Sequence, residues 1–266
     1  MKASILSLEG KKVGELEIDI PEQRFIKEEV IRKAVLAEQS LSYQPKGSFR
    51  WAGLQTSAAY FGKKDSNRSM KNRGISRLPR EILPLGKWGK VRRVPFSVKG
   101  RRAHPPRVDK VIIEKINNRE KKVAFRNAIL ASFKPEYVKA RGHIIPEKIM
   151  LPLIVENKMQ EMAKAKEIVA LAEKLNLFKD LERAEKGRKK RSSARGGRRR
   201  GGYRTPKSIL FIIDEDKGIK KACENIPGVE CAAINELKVE QLAPGTHAGR
   251  LAVWAEAAAR KIGEKI

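Results

Sequence analysis

Apolar and polar positions alternate along residues 3–8 and again along 13–18, on either side of Glu9-Gly10-Lys11-Lys12. A period of two broken by turn residues predicts a β-hairpin. After Pro21 the period lengthens: Phe25, Ile26, Val30, Ala34 and Val35 fall near helical spacing and predict a helix over 22–39. Helices are also predicted over 108–118, through Val111, Ile112 and Ile116, and over 121–133, through Val123, Ala124, Ala128 and Ile129. From residue 150 onward one theme repeats, a short apolar run followed by a helical stretch. Residues 150–155 precede a helical stretch from about 157 to 175, and 209–214 precede one near 217–225. Residues 229–234 form a third run, and 251–254 lead into an Ala-rich helix over 255–263. Short apolar strands alternating with helices predict an α/β body whose mostly parallel sheet is flanked by helices.

Two stretches interrupt this pattern, and they carry the charge. Residues 45–107 hold 17 Lys/Arg against Asp65 and Glu81, and residues 186–207 hold 11 Lys/Arg and no acid. Together they account for +26 of the formal net charge of +28. The other 181 residues carry 31 basic and 29 acidic side chains and are close to neutral. The expected organisation is therefore a globular body from 1–44 and 108–266, an extended basic loop over 45–107, and a second basic loop over 186–207. The near-neutral remainder is long enough to bury a substantial core. With 41% hydrophobic residues, the composition argues against disorder of the whole chain.

Segregated positive charge implies a polyanion partner, because cations that neutralise phosphates release condensed counterions. A membrane is a poor alternative. No run of ~18 apolar residues exists for a span, and the basic stretches lack the apolar face of an interfacial helix. The N-terminal apolar residues run into Glu9 and Gly10 too soon for a signal-peptide core. Cys223 and Cys231 have neither zinc nor redox spacing and read as reduced packing residues, which makes the Asn67-Arg68-Ser69 sequon irrelevant.

Parallel α/β sheets often bind nucleotides, so the loops need checking. No Gly-x-Gly-x-x-Gly follows a predicted strand, and no Gly-Lys-Ser/Thr exists. Residues 243–249, Ala-Pro-Gly-Thr-His-Ala-Gly, precede a strand where a phosphate loop would follow one, and read as a turn presenting the last strand. His104, His143 and His247 lie far apart, and Asp214-Glu215-Asp216 reads as a solvated acidic turn. No catalytic set, cofactor site or metal site is expected; any Mg²⁺ would be bound to RNA and not held by the protein.

The first basic stretch also holds Phe49, Trp51, Tyr60, Phe61, Trp88 and Phe96, with glycine at 47, 53, 62, 74, 86, 89 and 100. Aromatic rings and Arg planes stack on unpaired bases, and glycine lets backbone approach phosphate. Its candidate RNA contacts are Lys46, Arg50, Trp51, Lys63, Lys64, Arg68, Lys71, Arg73, Arg77, Arg80, Lys87, Trp88, Lys90, Arg92, Arg93, Lys99, Arg101, Arg102, His104 and Arg107. A 63-residue stretch without strong periodicity is either a linker or a segment ordered by a partner. Folded out and back, roughly 30 residues each way reach at most about 100 Å at ~3.3 Å per residue. The second stretch offers Lys186, Arg188, Lys189, Lys190, Arg191, Arg195, Arg198, Arg199, Arg200, Tyr203, Arg204 and Lys207, as a phosphate-gripping loop that folds on binding. Two cationic segments without a duplex-reading motif point to a folded RNA recognised by shape.

Several runs then resemble a known family. They are Ala52-Gly53-Leu54-Gln55-Thr56 with Phe61-Gly62, and Val98-Lys99-Gly100-Arg101-Arg102-Ala103-His104-Pro105-Pro106. Further on come Tyr203-Arg204 with Pro206 and Ser208-Ile209-Leu210-Phe211, and Leu242-Ala243-Pro244-Gly245 with Gly249-Arg250-Leu251. These resemble the universal fourth protein of the large ribosomal subunit, in its archaeal and eukaryotic type, in order along essentially the whole chain. The resemblance implies a non-enzymatic constituent of the cytoplasmic ribosome that helps fold large-subunit rRNA. It implies a body on the subunit's outer surface and an arm threading the rRNA, whose tip, within 62–92, helps line a constriction of the nascent-peptide exit tunnel. Lys87, Trp88, Lys90, Arg92 and Arg93 are then the tunnel-proximal residues. The implied partners are large-subunit rRNA, other large-subunit ribosomal proteins and the nascent peptide, with no membrane and no homo-oligomer. The competing readings are an RNA-modifying enzyme and a general RNA chaperone or architectural protein outside the ribosome.

Overall fold

The computed structural model describes residues 2–18, 20, 25–146, 149–191 and 202–265. Strands form at β1 (Lys2–Leu6), β2 (Lys12–Glu17), β3 (Arg80–Ile82), β4 (Trp88–Val91), β5 (Leu153–Val155), β6 (Lys189–Lys190), β7 (Tyr203–Arg204), β8 (Leu210–Ile213), β9 (Glu230–Ala233) and β10 (Ala252–Ala255). Six of them make one sheet in the order β2-β1-β5-β10-β8-β9. The pairing is parallel throughout except for the β1–β2 hairpin. β5, β8 and β10 are buried along their whole length, as their unbroken apolar runs require in a sheet covered on both faces. β2, at the edge, alternates exposed and half-buried positions.

Helices α1 (Glu28–Leu41), α2 (Asn118–Phe133), α3 (Pro135–Ala140), α4 (Ala165–Lys174) and α5 (Phe178–Lys186) accompany the sheet, with short helices at Ile219–Glu224, Val239–Leu242 and Glu256–Arg260. α1 buries Ile31, Ala34 and Val35 and places Glu28 and Glu29 in its first turn, where the helix dipole favours acids. α2 starts at an Asn117 cap whose side chain accepts the Arg119 N–H at 3.1 Å. Its second half is almost wholly buried, and Phe133 meets Trp254 of β10 edge-on at 5.9 Å between centroids.

Two expectations are corrected here. Residues 108–117 are not helical; the first helical residue is Asn118. The β-branched run Val111-Ile112-Ile113 disfavours a helix, and the Glu114 N–H is taken by the Ser40 hydroxyl at 3.0 Å instead of by its own turn. The helix over 157–175 is broken into a 3₁₀ turn, Asn157–Glu161, and α4. Within the basic stretch 45–107 lie the β3–β4 hairpin and an isolated bridge between Ala59 and Arg80.

The chain divides into two compact units, one of residues 1–42 and 113–266 and the other of residues 43–112. The second unit has its own small interior. Ala58 and Met70 are buried there, Phe61 packs on Trp88 at 5.7 Å, and the Met70 N–H donates to the Phe61 carbonyl at 2.9 Å. Gly53, at φ +75°, lies so close to Gly100 and Arg101 that a Cβ would sit 2.5 Å from the Gly100 carbonyl oxygen. That contact ties the outgoing and returning ends of this unit together, and only glycine allows it.

Trp254 couples α2 to the centre of the sheet. Trp254→Ala should lower the unfolding free energy of the full chain by about 3–5 kcal/mol, the range for emptying a large aromatic site, read from the midpoint of urea unfolding. A loss below about 1 kcal/mol would show that the site refills.

Candidate nucleic-acid interface

The cations divide into those the fold uses and those it leaves in water. In the body, Leu177, just before α5, and Asp180, Leu181 and Ala184 within it fall on one face by helical spacing, and that face is buried. Asp180 therefore enters the core as a carboxylate and has to be satisfied there. Its Oδ1 accepts from the Ile144 N–H at 3.0 Å and from Arg183 Nε at 2.8 Å. Its Oδ2 accepts from the Ser208 hydroxyl at 2.6 Å and from His143 Nδ1 at 3.1 Å. Burial alone would raise this carboxyl, but the donated hydrogen bonds, led by His143 and Arg183, outweigh it and hold Asp180 well below the usual carboxylate range. For His143 burial prevails and lowers the imidazole pKa, leaving a neutral ring that donates Nδ1–H to Asp180.

A second buried charge joins the first through Ser208. Arg250 is wholly buried; its Nε donates to the Ser208 carbonyl at 3.0 Å and its guanidinium also reaches Glu230 and the Gln241 carbonyl. Glu230 is shared with Lys207. Burial would raise the Glu230 carboxyl, but Arg250 and Lys207 pull it below the ordinary range. Arg141 lies nearby, and burial beside Arg250 and Arg183 brings it down to about 10.

These links hold both roots of the second basic stretch. Arg183 stands one turn before Lys186, and its other nitrogen donates to the Lys207 carbonyl at 2.9 Å. Gly187 faces Pro206 so closely that a Cβ would lie 2.6 Å from the proline ring. Above the roots, β6 pairs antiparallel with β7, and Arg188 sits 4.3 Å from the centroid of the Tyr203 ring. Lys189, Lys190 and Arg204 are exposed on this two-strand neck and Arg191 is half-buried. Lys186 pairs with Glu182 at 2.9 Å on the surface. Arg195, Arg198, Arg199 and Arg200 lie outside the described residues.

In the unit of residues 43–112, three of the candidate arginines serve the fold. Arg92 is half-buried and pairs with Glu81 at 2.6 Å while donating to the Val98 carbonyl. Arg80 reaches the Ser76 hydroxyl at 2.7 Å, and Arg73 reaches the Asn67 carbonyl at 3.0 Å. Trp88 is half-buried against Phe61, whereas Trp51 is 57% exposed. The other candidates, Lys46, Arg50, Lys63, Lys64, Arg68, Lys71, Arg77, Lys87, Lys90, Arg93, Lys99, Arg101, Arg102, His104 and Arg107, are all exposed. Phe49 and Phe96 are also exposed, so rings and cations share this surface.

Sequence reading missed Asp180, Arg183, Glu230 and Arg250. The signal for Asp180 was present, because an acid at the i+3 position of an apolar i, i+3, i+4, i+7 stripe has to be buried. Asp214-Glu215-Asp216 is a turn in which Asp214 pairs with Lys261 and Asp216 accepts the Gly218 N–H at 2.9 Å. Among the described residues no group of three or more His, Cys, Asp or Glu is placed to hold a metal, and no helix is long and apolar enough to cross a membrane.

Fold and surface together define an α/β scaffold that carries a separate, strongly cationic unit. Comparison with known proteins makes this specific. Residues 16–265 match the model of the ribosomal protein L4/L1 family. The chain is 37% identical to large ribosomal subunit protein uL4 of Methanospirillum hungatei, over 99% of both chains. It is 38% identical to the protein of the same name in Methanocaldococcus jannaschii, over 100% of this chain and 99% of that one. For Natronomonas pharaonis the figures are 37% and 100% of each. The chain belongs to the ribosomal protein L4/L1 family, in its archaeal type. Proteins of this family are structural components and not enzymes.

The buried pair sets a pH dependence. Unfolded histidine takes up a proton below about pH 6.5, which His143 resists when folded, so stability falls as pH drops below that value. Asp180 has a depressed folded pKa, so its contribution is present above about pH 3.9, the unfolded value, and is lost as pH falls from there toward the lower folded value. The thermal midpoint of the full chain should therefore decline in two stages between pH 7 and 3. His143→Gln should flatten the upper stage, and an unchanged upper stage in that variant would remove His143 from the account.

Proposed function

We propose that this chain is a structural constituent of the large ribosomal subunit in the cytoplasm, where it binds large-subunit rRNA and helps it fold. The unit of residues 43–112 is the part that penetrates the rRNA, and its β3–β4 hairpin, with Lys87, Trp88, Lys90, Arg92 and Arg93, is the part that reaches the nascent-peptide exit tunnel. The 186–207 stretch is a second phosphate-binding loop. One observation carries the reading. A compact unit with 17 Lys/Arg at positions 45–107 leaves most of them exposed, and Glu81, one of only two acids in that stretch, is already paired to Arg92. Cations left in water at that density repel one another until a polyanion neutralises them. Nearly full-length similarity to archaeal proteins named for the large ribosomal subunit supports that polyanion being its rRNA. Neighbouring large-subunit proteins and the nascent chain are its further partners.

The test is sedimentation of a cell extract on a sucrose gradient after a high-salt wash. Stoichiometric retention on the large subunit is expected, because a segment enclosed by folded RNA cannot leave when salt weakens its ion pairs. Release to the top of the gradient would support a salt-sensitive RNA chaperone instead.

Trp51 and the lysines should separate by size of effect. Trp51→Ala should weaken binding to large-subunit RNA by about 1–3 kcal/mol, the worth of one stacked base, with stability changed by no more than about 0.5 kcal/mol. Lys46→Gln should mainly reduce the salt dependence, by about one phosphate contact. Filter binding at several salt concentrations measures both, and equal effects would remove stacking from the account.

A further inference from the structure

The β3–β4 hairpin closes over a notch of about 190 Å³ lined by Arg68, Ile82, Leu83, Pro84, Leu85, Gly86, Lys87 and Trp88. We infer that this notch receives a single unpaired nucleobase of the bound RNA, with Leu85 taking the place the base leaves in its stack; the inference rests on the rRNA-binding reading above.

Four features of the hairpin point there. The walls combine apolar side chains, Ile82, Leu83 and Pro84, with the Trp88 ring, which suits a flat aromatic guest and not a bare phosphate. The polar side chains on the lining, Arg68 and Lys87, are both hydrogen-bond donors. A nucleobase offers ring nitrogens and carbonyls as acceptors, and its own phosphate lies within reach of the two cations. The third feature is an unmet need, since neither Arg68 nor Lys87, both exposed, is in an ion pair among the described residues.

The fourth feature is the turn itself. Leu85 and Gly86 are both left-handed, at φ +61° and +67°. Two successive left-handed residues make a tight hairpin turn, and asparagine or glycine is the usual occupant of the first position. Leucine there is disfavoured by its Cβ, yet the residue is 94% exposed, with little burial to offset that cost. An apolar side chain held outward in a disfavoured conformation serves something outside the unit. Proteins that displace a base commonly insert such an apolar wedge into the stack.

The test uses large subunits purified from cells whose copy of this protein carries Leu85→Ser, Arg68→Gln or Trp88→Phe, with Lys166→Gln, at an exposed position of α4 outside both basic stretches, as the control. Base and ribose reactivity is probed along the whole large-subunit RNA with dimethyl sulfate and a 2′-hydroxyl acylating reagent. One unpaired nucleotide, protected in the parent subunit, should become several-fold more reactive in all three hairpin variants and stay protected in the control. The proposal is overturned if the variants are present at parental levels and share no newly reactive nucleotide. It is equally overturned if RNA reactivity is unchanged while nascent-chain crosslinking at residue 85 or 88 is altered, which would assign the notch to the peptide. Should Trp88→Phe fail to enter the subunit, agreement between Leu85→Ser, at an exposed position, and Arg68→Gln decides the matter. Absence of the parent protein from the large subunit would instead refute the rRNA-binding reading and leave the notch chemistry to another RNA.

Discussion

A charge removed from water must meet its counter-charge and fill its hydrogen bonds, or the fold loses several kcal/mol. In this chain that requirement sorts the cations into two populations. Arg250, wholly buried, has Glu230 and three carbonyls; Asp180, equally buried, has Arg183, His143, Ser208 and a backbone N–H. The body holds enough acids to do this, since outside the two basic stretches the charges nearly balance. The stretches themselves do not, so their cations stay at the surface, and the architecture follows from that shortage.

The buried pairs do more than neutralise each other. Arg183 and Ser208 stand at either end of the 186–207 stretch, and both bind Asp180. Arg250 binds the Ser208 carbonyl and, through Glu230, Lys207. A segment whose own content favours extension is thereby held at its roots by groups that are costly to unpair. The close approach of Gly187 to Pro206 narrows the gap further. Function and stability are coupled at this point, because loosening the network would free the loop that is proposed to grip phosphate.

The 43–112 unit reaches cohesion by another route. With little apolar material, it relies on a hairpin, a Phe61–Trp88 contact, a glycine-to-glycine approach and arginines turned inward to carbonyls and hydroxyls. Counting positive charge therefore overstates what is available to a ligand. Arg73, Arg80 and Arg92 already have internal partners, while Lys87, Lys90 and Arg93 beside them are exposed. Glycine also has a second role here. Gly53 permits close packing within the unit, whereas Gly86 supplies a turn conformation with open space around it.

The sequence alone determined the α/β class, the parallel run of strands, the near-neutral body and the positions of both cationic stretches. Periodicity and charge are local properties, readable wherever a strand is buried on both faces or a run of cations lacks acids. The family likeness was legible too, because its motifs are short and contiguous. What only tertiary structure decided are the contacts between residues far apart in the chain. No local pattern joins Asp180 to His143 and Ser208, or Arg250 to Glu230, and none shows that Arg92 is taken by Glu81 while Arg93 is free to face solvent. Within the non-helical stretch 108–117, the Glu114 N–H is taken by Ser40, some seventy residues earlier, which no local pattern shows. The hairpin notch likewise exists only once Arg68 is brought to the β3–β4 turn, because a cavity is a property of packing that no single segment encodes.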